Sequence, residues 1–210
     1  LEVRFISAED NFLRDVGVRG AADAIAVIAR GSTRPSDVVR LEHASGAVHS
    51  FNIASIGFTA DVGALTNARY KSLGAAGYVV AVFQRALALR TTRVSLRLDG
   101  GATDTRPAIL LSFSNSRCTA GSMQMAPRAD IADGELDVIR IGKMSRSRFV
   151  TSFPSIFQGR HVLRPGVEQA RAKVVDFDAP RELDWMIDGE ILRLCVRRIE
   201  VLPHAVELVA

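Results

Sequence analysis

Short segments with the pattern of β-strands fill the second half of the chain. In residues 93–100, apolar and polar positions alternate and end at Asp-Gly, a dipeptide typical of two-residue hairpin turns. Residues 108–116 are instead an almost continuous apolar run, typical of a strand buried on both faces. Short strands joined by tight turns pair with their neighbours, so this pattern favours a largely antiparallel sheet. The predicted strands are two within residues 36–58, then 93–100, 108–116, 136–142, 172–178, 183–189, 190–202 and 205–209.

Helical patterns lie mainly in the first half of the chain. Residues 11–29 have helical spacing broken by glycines and predict two short helices. The longest helical pattern, residues 60–89, contains Gly74 and Gly77 and therefore predicts two consecutive helices. One more helix is predicted at roughly residues 145–157. With helices early and strands late, the sequence predicts an α+β fold.

Length and composition exclude several classes of protein. A chain of 210 residues, of which 48% are apolar and 24% charged, can bury one large core or two small ones. Its longest uncharged apolar stretch, residues 73–83, is about half of the roughly 20 residues that a membrane-spanning helix needs. The first residues have neither the apolar centre nor the cleavage site of a signal peptide. We therefore expect a soluble, globular protein in the cytoplasm.

The charge balance indicates anionic partners. The net charge of +4 suits phosphates or acidic lipid headgroups. Nucleic acid is not expected, because the basic residues are spread along the chain and only 6% of residues are aromatic, too few for a stacking surface. Cys118 and Cys195 have neither C-x-x-C spacing nor a nearby histidine, so we expect neither a zinc site nor a disulfide.

The tripeptide Asp-Gly-Glu occurs twice, first within residues 129–138. Asp130 and Asp133 are three positions apart, and a tight turn can bring two such carboxylates and a following backbone carbonyl toward one hard cation. This arrangement would suit magnesium or calcium, although it lacks the ligand pattern of an EF-hand. A plain hairpin turn explains the same residues, and the pattern alone favours that explanation.

The second copy lies within residues 184–193. Asp188 and Glu190 flank a glycine, so in a turn both carboxylates can point into one cleft. One could then orient a metal-bound water while the other accepts a proton. Apolar neighbours, including Trp185 and Ile187, could form a dry wall that raises the pKa of a carboxyl group. The local pattern leaves both this interpretation and a plain turn open.

Five segments together resemble a known protein superfamily. In order and spacing they are similar to the C-terminal half of the diacylglycerol and related lipid kinases, which include the sphingosine and ceramide kinases. The segments are "FNIASIGFTADV" (51–62), "TNARYKSLGAAGYVVAVFQRAL" (66–87), "LLSFSNSRCTAGSMQMAPRADIADGELDV" (110–138), "GRHVLRPGV" (159–167) and "IDGE" (187–190).

The resemblance implies a two-domain architecture. In the family, a nucleotide-binding α/β domain precedes a mostly antiparallel β-sandwich domain with a few helices, and the active site lies in the cleft between them. Residues 31–210 would be the β-sandwich, and residues 1–30 a remnant of the nucleotide-binding domain or an interdomain segment. The family's Gly-Gly-Asp-Gly-Thr motif does not occur in this chain. We therefore expect a fragment of a longer kinase, inactive without the other domain.

The resemblance also assigns roles to the two Asp-Gly-Glu copies. In the first copy, the carboxylates of Asp130 and Asp133 and the backbone carbonyl of Glu135 would bind a structural Mg²⁺. In the second, Glu190 would be the general base, and Asp188 would belong to a magnesium and water network.

Two further positions match family motifs. Residues 7–14 correspond to a stretch that contacts the nucleotide, which makes Asn11 the predicted ATP contact, although Ala8 stands where the family has threonine. His161 also matches a family position, and we interpret it as a structural hydrogen-bonding residue. The implied cofactors are Mg²⁺ and ATP, with ATP bound mainly by the other domain.

The expected reaction transfers the γ-phosphoryl group of ATP to a lipid hydroxyl, as in a diacylglycerol kinase. Because such a lipid resides in a bilayer, we expect peripheral contact with an anionic membrane surface. A non-catalytic lipid-binding regulatory module and an NAD-kinase-like enzyme are the alternatives. The sequence decides neither the lipid nor the oligomeric state, for which a homodimer is one option. The predicted membrane contacts are Arg85, Arg90, Arg93 and Arg97 in one cluster and Arg140, Lys143, Arg146 and Arg148 in another.

Overall fold

Two six-stranded sheets form the centre of the molecule. The computed structural model describes residues 12, 15–18, 20–70, 73–119 and 123–209, except the side chains of 74–76. The strands are β1 (Thr33–His43), β2 (Gly46–Ser50), β3 (Ile53–Gly57), β4 (Ser95–Leu98), β5 (Thr103–Asp104), β6 (Ala108–Ser114), β7 (Leu136–Gly142), β8 (Val167–Ala172), β9 (Val174–Asp178), β10 (Leu183–Ile187), β11 (Glu190–Leu194) and β12 (Val196–Val209).

Four α-helices occur among the described residues, together with shorter helical turns. The helices are α1 (Ala21–Arg30), α2 (Phe58–Leu65), α3 (Gly74–Leu87) and α4 (Arg146–Ser152). A π-helical turn (Thr66–Tyr70) follows α2, and two 3₁₀ turns (Phe153–Gln158 and Arg160–Leu163) follow α4.

All strand pairs are antiparallel, as the sequence predicts. Sheet I has the order β2-β1-β12-β9-β4-β5, and sheet II has the order β11-β10-β3-β6-β7-β8. Buried apolar side chains of both sheets form one core between them. Phe177 of sheet I contacts Trp185 of sheet II at 5.1 Å and Phe113 at 6.1 Å between ring centroids. Each such buried aromatic side chain stabilises the sandwich by roughly 1.5–3 kcal/mol.

Sheet II is covered on its outer face by the helices. Val62 of α2, Val82 of α3 and Phe149 of α4 belong to a second core that also includes Ile109 of β6 and Ile139 of β7. Every residue of β6 and β7 is therefore buried, because both faces of these strands are covered. The α+β fold and the β-sandwich architecture are thus confirmed, whereas the predicted boundary near residue 30 stays a prediction.

Two predicted strand boundaries were wrong because the chain crosses between sheets there. The predicted strand 190–202 is split at Cys195, where β11 of sheet II ends and β12 of sheet I begins. The predicted strand 172–178 likewise spans Lys173, which separates β8 of sheet II from β9 of sheet I. The separate strand predicted at 205–209 is the end of β12, which continues through an irregularity in its pairing with β1.

The helix predictions are largely confirmed. Two helices, α2 and α3, lie within residues 58–87, and the second of the two short helices predicted within 11–29 corresponds to α1. The helix predicted at 145–157 changes to a 3₁₀ turn after Ser152, because Pro154 has no amide hydrogen for the α-helical hydrogen-bonding pattern. Strand β8 was not predicted. No helix among the described residues is long and apolar enough to cross a membrane.

Candidate functional site

The second Asp-Gly-Glu copy forms the tip of the β10–β11 hairpin. Ile187 pairs with Glu190, which leaves Asp188 and Gly189 as the two turn residues. Their φ angles are 47° and 92°. Positive φ at both positions defines a type I′ turn, for which Asp-Gly is a preferred sequence. The hairpin interpretation of this copy is therefore confirmed.

The carboxylate of Asp188 is occupied by groups of its own domain. One oxygen, Oδ1, accepts hydrogen bonds from Ser50 Oγ at 2.7 Å, Asn52 N at 3.1 Å and Ile53 N at 3.0 Å. The other, Oδ2, accepts from Phe51 N at 2.8 Å. Since an ionised carboxylate offers about four acceptor sites, this side chain fastens the hairpin to the start of β3. The geometry gives Asp188 a structural role, and its place in an active site stays a prediction.

The carboxylate of Glu190, unlike that of Asp188, is not held by hydrogen bonds. Its side chain is exposed and makes no hydrogen bond or ion pair with the described part of the chain. Of the apolar residues expected as a dry wall beside it, Trp185 and Ile187 belong to the core between the sheets, and the wall stays a prediction. The hairpin therefore has one carboxylate that is fully hydrogen-bonded, that of Asp188, and one that is free to contact a ligand, that of Glu190.

The first Asp-Gly-Glu copy is not a hairpin turn, because no strand occupies residues 129–133. Instead, the loop is folded by its own aspartates. Asp130 Oδ1 accepts from Ala132 N and Asp133 Oδ1 accepts from Glu135 N, each at 3.0 Å. Gly134 adopts a φ of 71°, a conformation that glycine reaches without steric cost.

A buried aspartate that the sequence analysis missed anchors this loop. Asp37 is fully buried, and its carboxylate accepts from Gly134 N at 2.6 Å and from His204 N at 2.7 Å. Its backbone N–H donates to Ile131 O at 2.6 Å. Asn115 Nδ2 donates to the Asp37 carbonyl oxygen at 3.0 Å. An acidic residue near the start of the strand pattern within residues 36–58 was the only available signal.

Arg171 of β8 lies beside the same loop. Its guanidinium forms ion pairs with Asp133 and, at 2.8 Å, with Glu135, and its Nε lies 3.6 Å from Asp137 Oδ2. Within the described residues, no three acidic, histidine or cysteine side chains are grouped as ligands of a metal. As placed, the loop does not fit the predicted Mg²⁺ site, because the carboxylate of Asp133 is paired with an arginine. The predicted ATP contact Asn11 lies outside the described residues.

An apolar cavity lies between sheet II and the helices that cover it. Its cavity volume is about 50 Å³, and the whole space between atoms, solvent at the open mouth included, is about 550 Å³. Its walls come from α2, α3, β6, β7 and the segment 123–167, and most of the lining side chains are apolar. They are Phe58, Tyr78, Leu110, Met123, Met125, Ile141, Met144, Phe149, Phe153, Ile156 and Val167, with the polar residues Thr59, Ser152 and His161.

His161 is the buried polar group of this cavity. Only 4% of it is exposed, and neither ring nitrogen makes a hydrogen bond of normal geometry within the described structure. Burial lowers the pKa of the imidazole to about 4, and the nearby Met125 backbone offsets this only partly. The ring is therefore neutral at pH 7. The structural hydrogen-bonding role expected for His161 therefore stays a prediction, with the Met125 backbone as the nearby partner of the ring.

A polar cleft lies on the other side of α2, next to residues 181–184. Asp61, Arg90 and Arg193 contribute to its lining. Burial raises the pKa of the Asp61 carboxyl group, while Arg85 and Arg90 act in the opposite direction. Acidic and basic groups are thus mixed in this cleft, which gives it no clear preference for an anion.

Two of the arginines predicted as membrane contacts are paired with acids. Arg97 lies on sheet I, where it forms an ion pair of 2.7 Å with Asp176. Arg140 is only 8% exposed and lies 3.3 Å from Glu168. Arg140 is therefore too buried to contact a membrane, whereas Arg97, whose side chain is 49% exposed, stays a predicted contact. Lys143, Arg146 and Arg148 are exposed around the start of α4.

Comparisons with known proteins agree with the fold. The family model described as "YegS C-terminal NAD kinase beta sandwich-like domain" matches residues 52–210. A Mycobacterium tuberculosis protein named "Diacylglycerol kinase" is 29% identical over 191 residues, covering 90% of this chain and 60% of that protein. A Shewanella frigidimarina protein named "Probable lipid kinase YegS-like" is 26% identical over 180 residues, covering 85% of this chain and 56% of that protein.

Solved structures extend the comparison. Two structures of Bacillus anthracis proteins described as diacylglycerol kinases have TM-scores of 0.74 and 0.64 at 20% and 17% identity. They cover 97% and 95% of this chain, and the matches span 65% and 62% of their own chains. The chain spans about 60% of the length of the curated relatives it matches. Because the family model covers more than half of the chain, the chain belongs to the family of YegS C-terminal, NAD kinase β-sandwich-like domains.

Proposed function

We propose that this chain supplies the lipid-binding part of an ATP-dependent lipid kinase that acts on diacylglycerol or a similar lipid. Relatives named as diacylglycerol kinase and lipid kinase support the reaction class. The observation that carries the proposal is the apolar cavity with one buried, neutral histidine. A soluble dinucleotide, the substrate class of the NAD-kinase alternative, would need charged and polar partners in such a cavity.

In the proposal, part of one acyl chain of the lipid enters the cavity. Each methylene group that leaves water for an apolar wall gains about 0.8 kcal/mol. In the proposal, a neutral His161 hydrogen-bonds an ester or hydroxyl oxygen of the same lipid. This contact would fix the position of the chain in the cavity and satisfy a nitrogen that otherwise lacks a partner.

The exposed carboxylate of Glu190 is the proposed general base. The lipid hydroxyl oxygen forms a bond to the γ-phosphorus of ATP, the bond from that phosphorus to the β–γ bridging oxygen breaks, and Glu190 accepts the hydroxyl proton. Asp188 holds the hairpin that carries Glu190. In this proposal ATP is bound by the nucleotide-binding domain that the resemblance implies, with Asn11 as a contact.

The helical layer over sheet II is the proposed membrane-facing surface. No acidic residue occurs in residues 62–98 and 138–167. These two segments include all the helices of this layer except the start of α2. Exposed apolar side chains of α3 lie among these basic segments: Val79, Val80, Phe83 and Leu87. Exposed basic side chains of the layer and its flanks are Arg69, Lys143, Arg146, Arg148, Arg160 and Arg164. This charge suits an anionic bilayer, from which a lipid would reach the cavity.

Filling the cavity tests the proposal. Met144 lines the cavity and is only partly buried, so Met144→Trp places a larger side chain there with limited strain. We expect at least a tenfold weaker affinity for a fluorescent diacylglycerol analogue, equivalent to about 1.4 kcal/mol. Val209→Trp is the control, because Val209 is 48% exposed and lies outside the cavity. Equal affinities of the two variants, with melting temperatures like that of the unsubstituted protein, would contradict the proposal.

A further inference from the structure

Three carboxylates converge on one arginine at the edge of sheet II. Asp137 of β7 is directly opposite Arg171 of β8 in the strand register. The guanidinium pairs with Asp133, with Glu135 at 2.8 Å, and with Asp137 at 3.6 Å. Two of these acids belong to the loop that the resemblance assigns to Mg²⁺. The cation that faces them in this chain is therefore a side chain.

Asp137 makes this arrangement important for the stability of the folded state. The residue is 1% exposed, and its Oδ2 atom has no hydrogen-bond partner among the described residues. Its other oxygen, Oδ1, accepts a hydrogen bond from Gln169 Nε2 at 2.5 Å. A buried carboxylate is strongly unfavourable without a nearby cation. Removal of Arg171 would leave Asp137 and both loop carboxylates close together without compensation.

The remaining predicted ligand, Asp130, is not part of this group. Its side chain is exposed and accepts a hydrogen bond from Ala132 N of its own loop. The loop is also fastened independently of any cation, through the bonds from Gly134 N and His204 N to Asp37. Its shape therefore follows from protein groups alone.

We propose that Arg171 is the resident cation of the 130–137 loop and takes the place that the resemblance gives to Mg²⁺. The loop of this chain is then stable without a divalent cation. This inference concerns the folded state alone and does not depend on the proposed lipid kinase activity.

Thermal melting in EDTA, MgCl₂ and CaCl₂, without ATP or lipid, tests the inference. We expect the unsubstituted protein to melt at the same temperature in all three. Arg171→Ala should melt about 5 °C lower in EDTA. Mg²⁺ or Ca²⁺ should restore part of that loss, because a divalent cation can then offset the charge of the carboxylates that Arg171 no longer pairs with.

Arg198→Ala is the matched control. Arg198 is 42% exposed, as Arg171 is, and it also pairs with acids, Asp176 at 3.5 Å and Glu200 at 3.2 Å. We expect a smaller loss for this variant and no response to divalent cations. A saturable rise in the melting temperature of the unsubstituted protein with Mg²⁺ would overturn the inference. An identical cation response of the two variants would also overturn it, and if Arg171→Ala does not fold, the unsubstituted protein alone decides.

Discussion

Single aspartates that accept backbone N–H groups recur in this molecule. Asp188 accepts three such bonds at the start of β3, and Asp37 accepts two, one from Gly134 of the 130–137 loop and one from His204 of β12. Asp99, in the other Asp-Gly turn, accepts from Lys173 N at 3.0 Å and Val174 N at 2.8 Å, where β9 begins. In both Asp-Gly turns the glycine and the aspartate have positive φ. The dipeptide thus forms the turn and also fastens it to the adjoining strand.

Substitutions of the two acids at the β10–β11 turn should affect different properties. A change at Asp188 should lower stability, and a change at Glu190 should lower turnover. Asp188→Ala leaves four donors without their acceptor, so we expect a loss of about 2–4 kcal/mol in the free energy of unfolding, measured in urea. Glu190→Gln changes an exposed group and should change that free energy by less than about 0.5 kcal/mol. In a protein that includes the nucleotide-binding domain, Glu190→Gln should lower turnover by a factor on the order of 100.

The expectation for Asp188 and the expectation for Glu190 can each be contradicted without the other. An Asp188→Ala variant as stable as the unsubstituted protein would show that the four hydrogen bonds are not structural. Unchanged turnover of Glu190→Gln would remove it as the general base and favour a lipid-binding module without catalysis. Asp188→Asn, which keeps one acceptor oxygen, should fall between Asp188→Ala and the unsubstituted protein in stability.

The sequence predicted these turns but not their partners. An Asp-Gly pair between alternating residues indicates a hairpin from local pattern alone. The groups that Asp188 binds, residues 50–53, lie more than 130 positions earlier in the chain. Asp133 and Arg171 are 38 positions apart, and the pairing of β7 with β8 brings them together. No local pattern contains this information, and the metal role predicted for this loop came from the resemblance.

At the scale of elements, the sequence predicted which segments form strands better than it predicted which of the two sheets each strand joins. Strand β6 was predicted to be buried on both faces, and it is. The crossings between sheets at Lys173 and Cys195 break two predicted strands without a glycine or proline to mark them. Strand β8 was missed because its burial is irregular and it carries charged residues, among them Arg171, that pair across the strands. Sheet membership depends on distant partners, whereas strand propensity is local.

The junction of β3 and α2 should depend on one glycine. Gly57 has a φ of 83°, and a Cβ atom there would overlap the carbonyl oxygen of Ile109 on the neighbouring β6. We expect Gly57→Ala to lower the free energy of unfolding in urea by about 3 kcal/mol or more, since both the backbone angle and the contact are unfavourable. The change would also displace Phe58 and Thr59, which line the cavity.

Gly100→Ala is the matched control for this junction. Gly100 has a φ of 72°, but a Cβ atom there would have no neighbour within 4 Å. The variant should therefore lose only the conformational term, about 1–2 kcal/mol. Similar losses for the two variants would mean that the close approach of β3 to β6 adds nothing to the requirement for glycine.

The whole molecule has two unlike sides. Sheet I carries exposed ion pairs such as Arg97–Asp176 and Arg198–Glu200. The helical layer over sheet II combines exposed apolar residues with basic residues and has acids only at the start of α2. The net charge was readable from the sequence, but its distribution depends on which segments the fold places together. The arginine clusters predicted from sequence neighbours therefore mixed exposed residues with paired ones.

The helical layer should bind anionic vesicles through α3. Phe83 and Leu87 lie one turn apart and are 58% and 69% exposed. We expect the double substitution Phe83→Ser, Leu87→Ser to reduce cosedimentation with phosphatidylserine-containing vesicles by about tenfold, since each apolar side chain contributes on the order of 1 kcal/mol or more at a membrane interface. The matched control is Ile25→Ser, Ile28→Ser on α1, where the side chains are 68% and 69% exposed. This control should bind like the unsubstituted protein.

Binding of the unsubstituted protein should weaken as the salt concentration rises, because basic residues contribute through charge. Equal loss in both double variants, or equal binding to neutral vesicles, would assign the exposed residues of α3 to another partner.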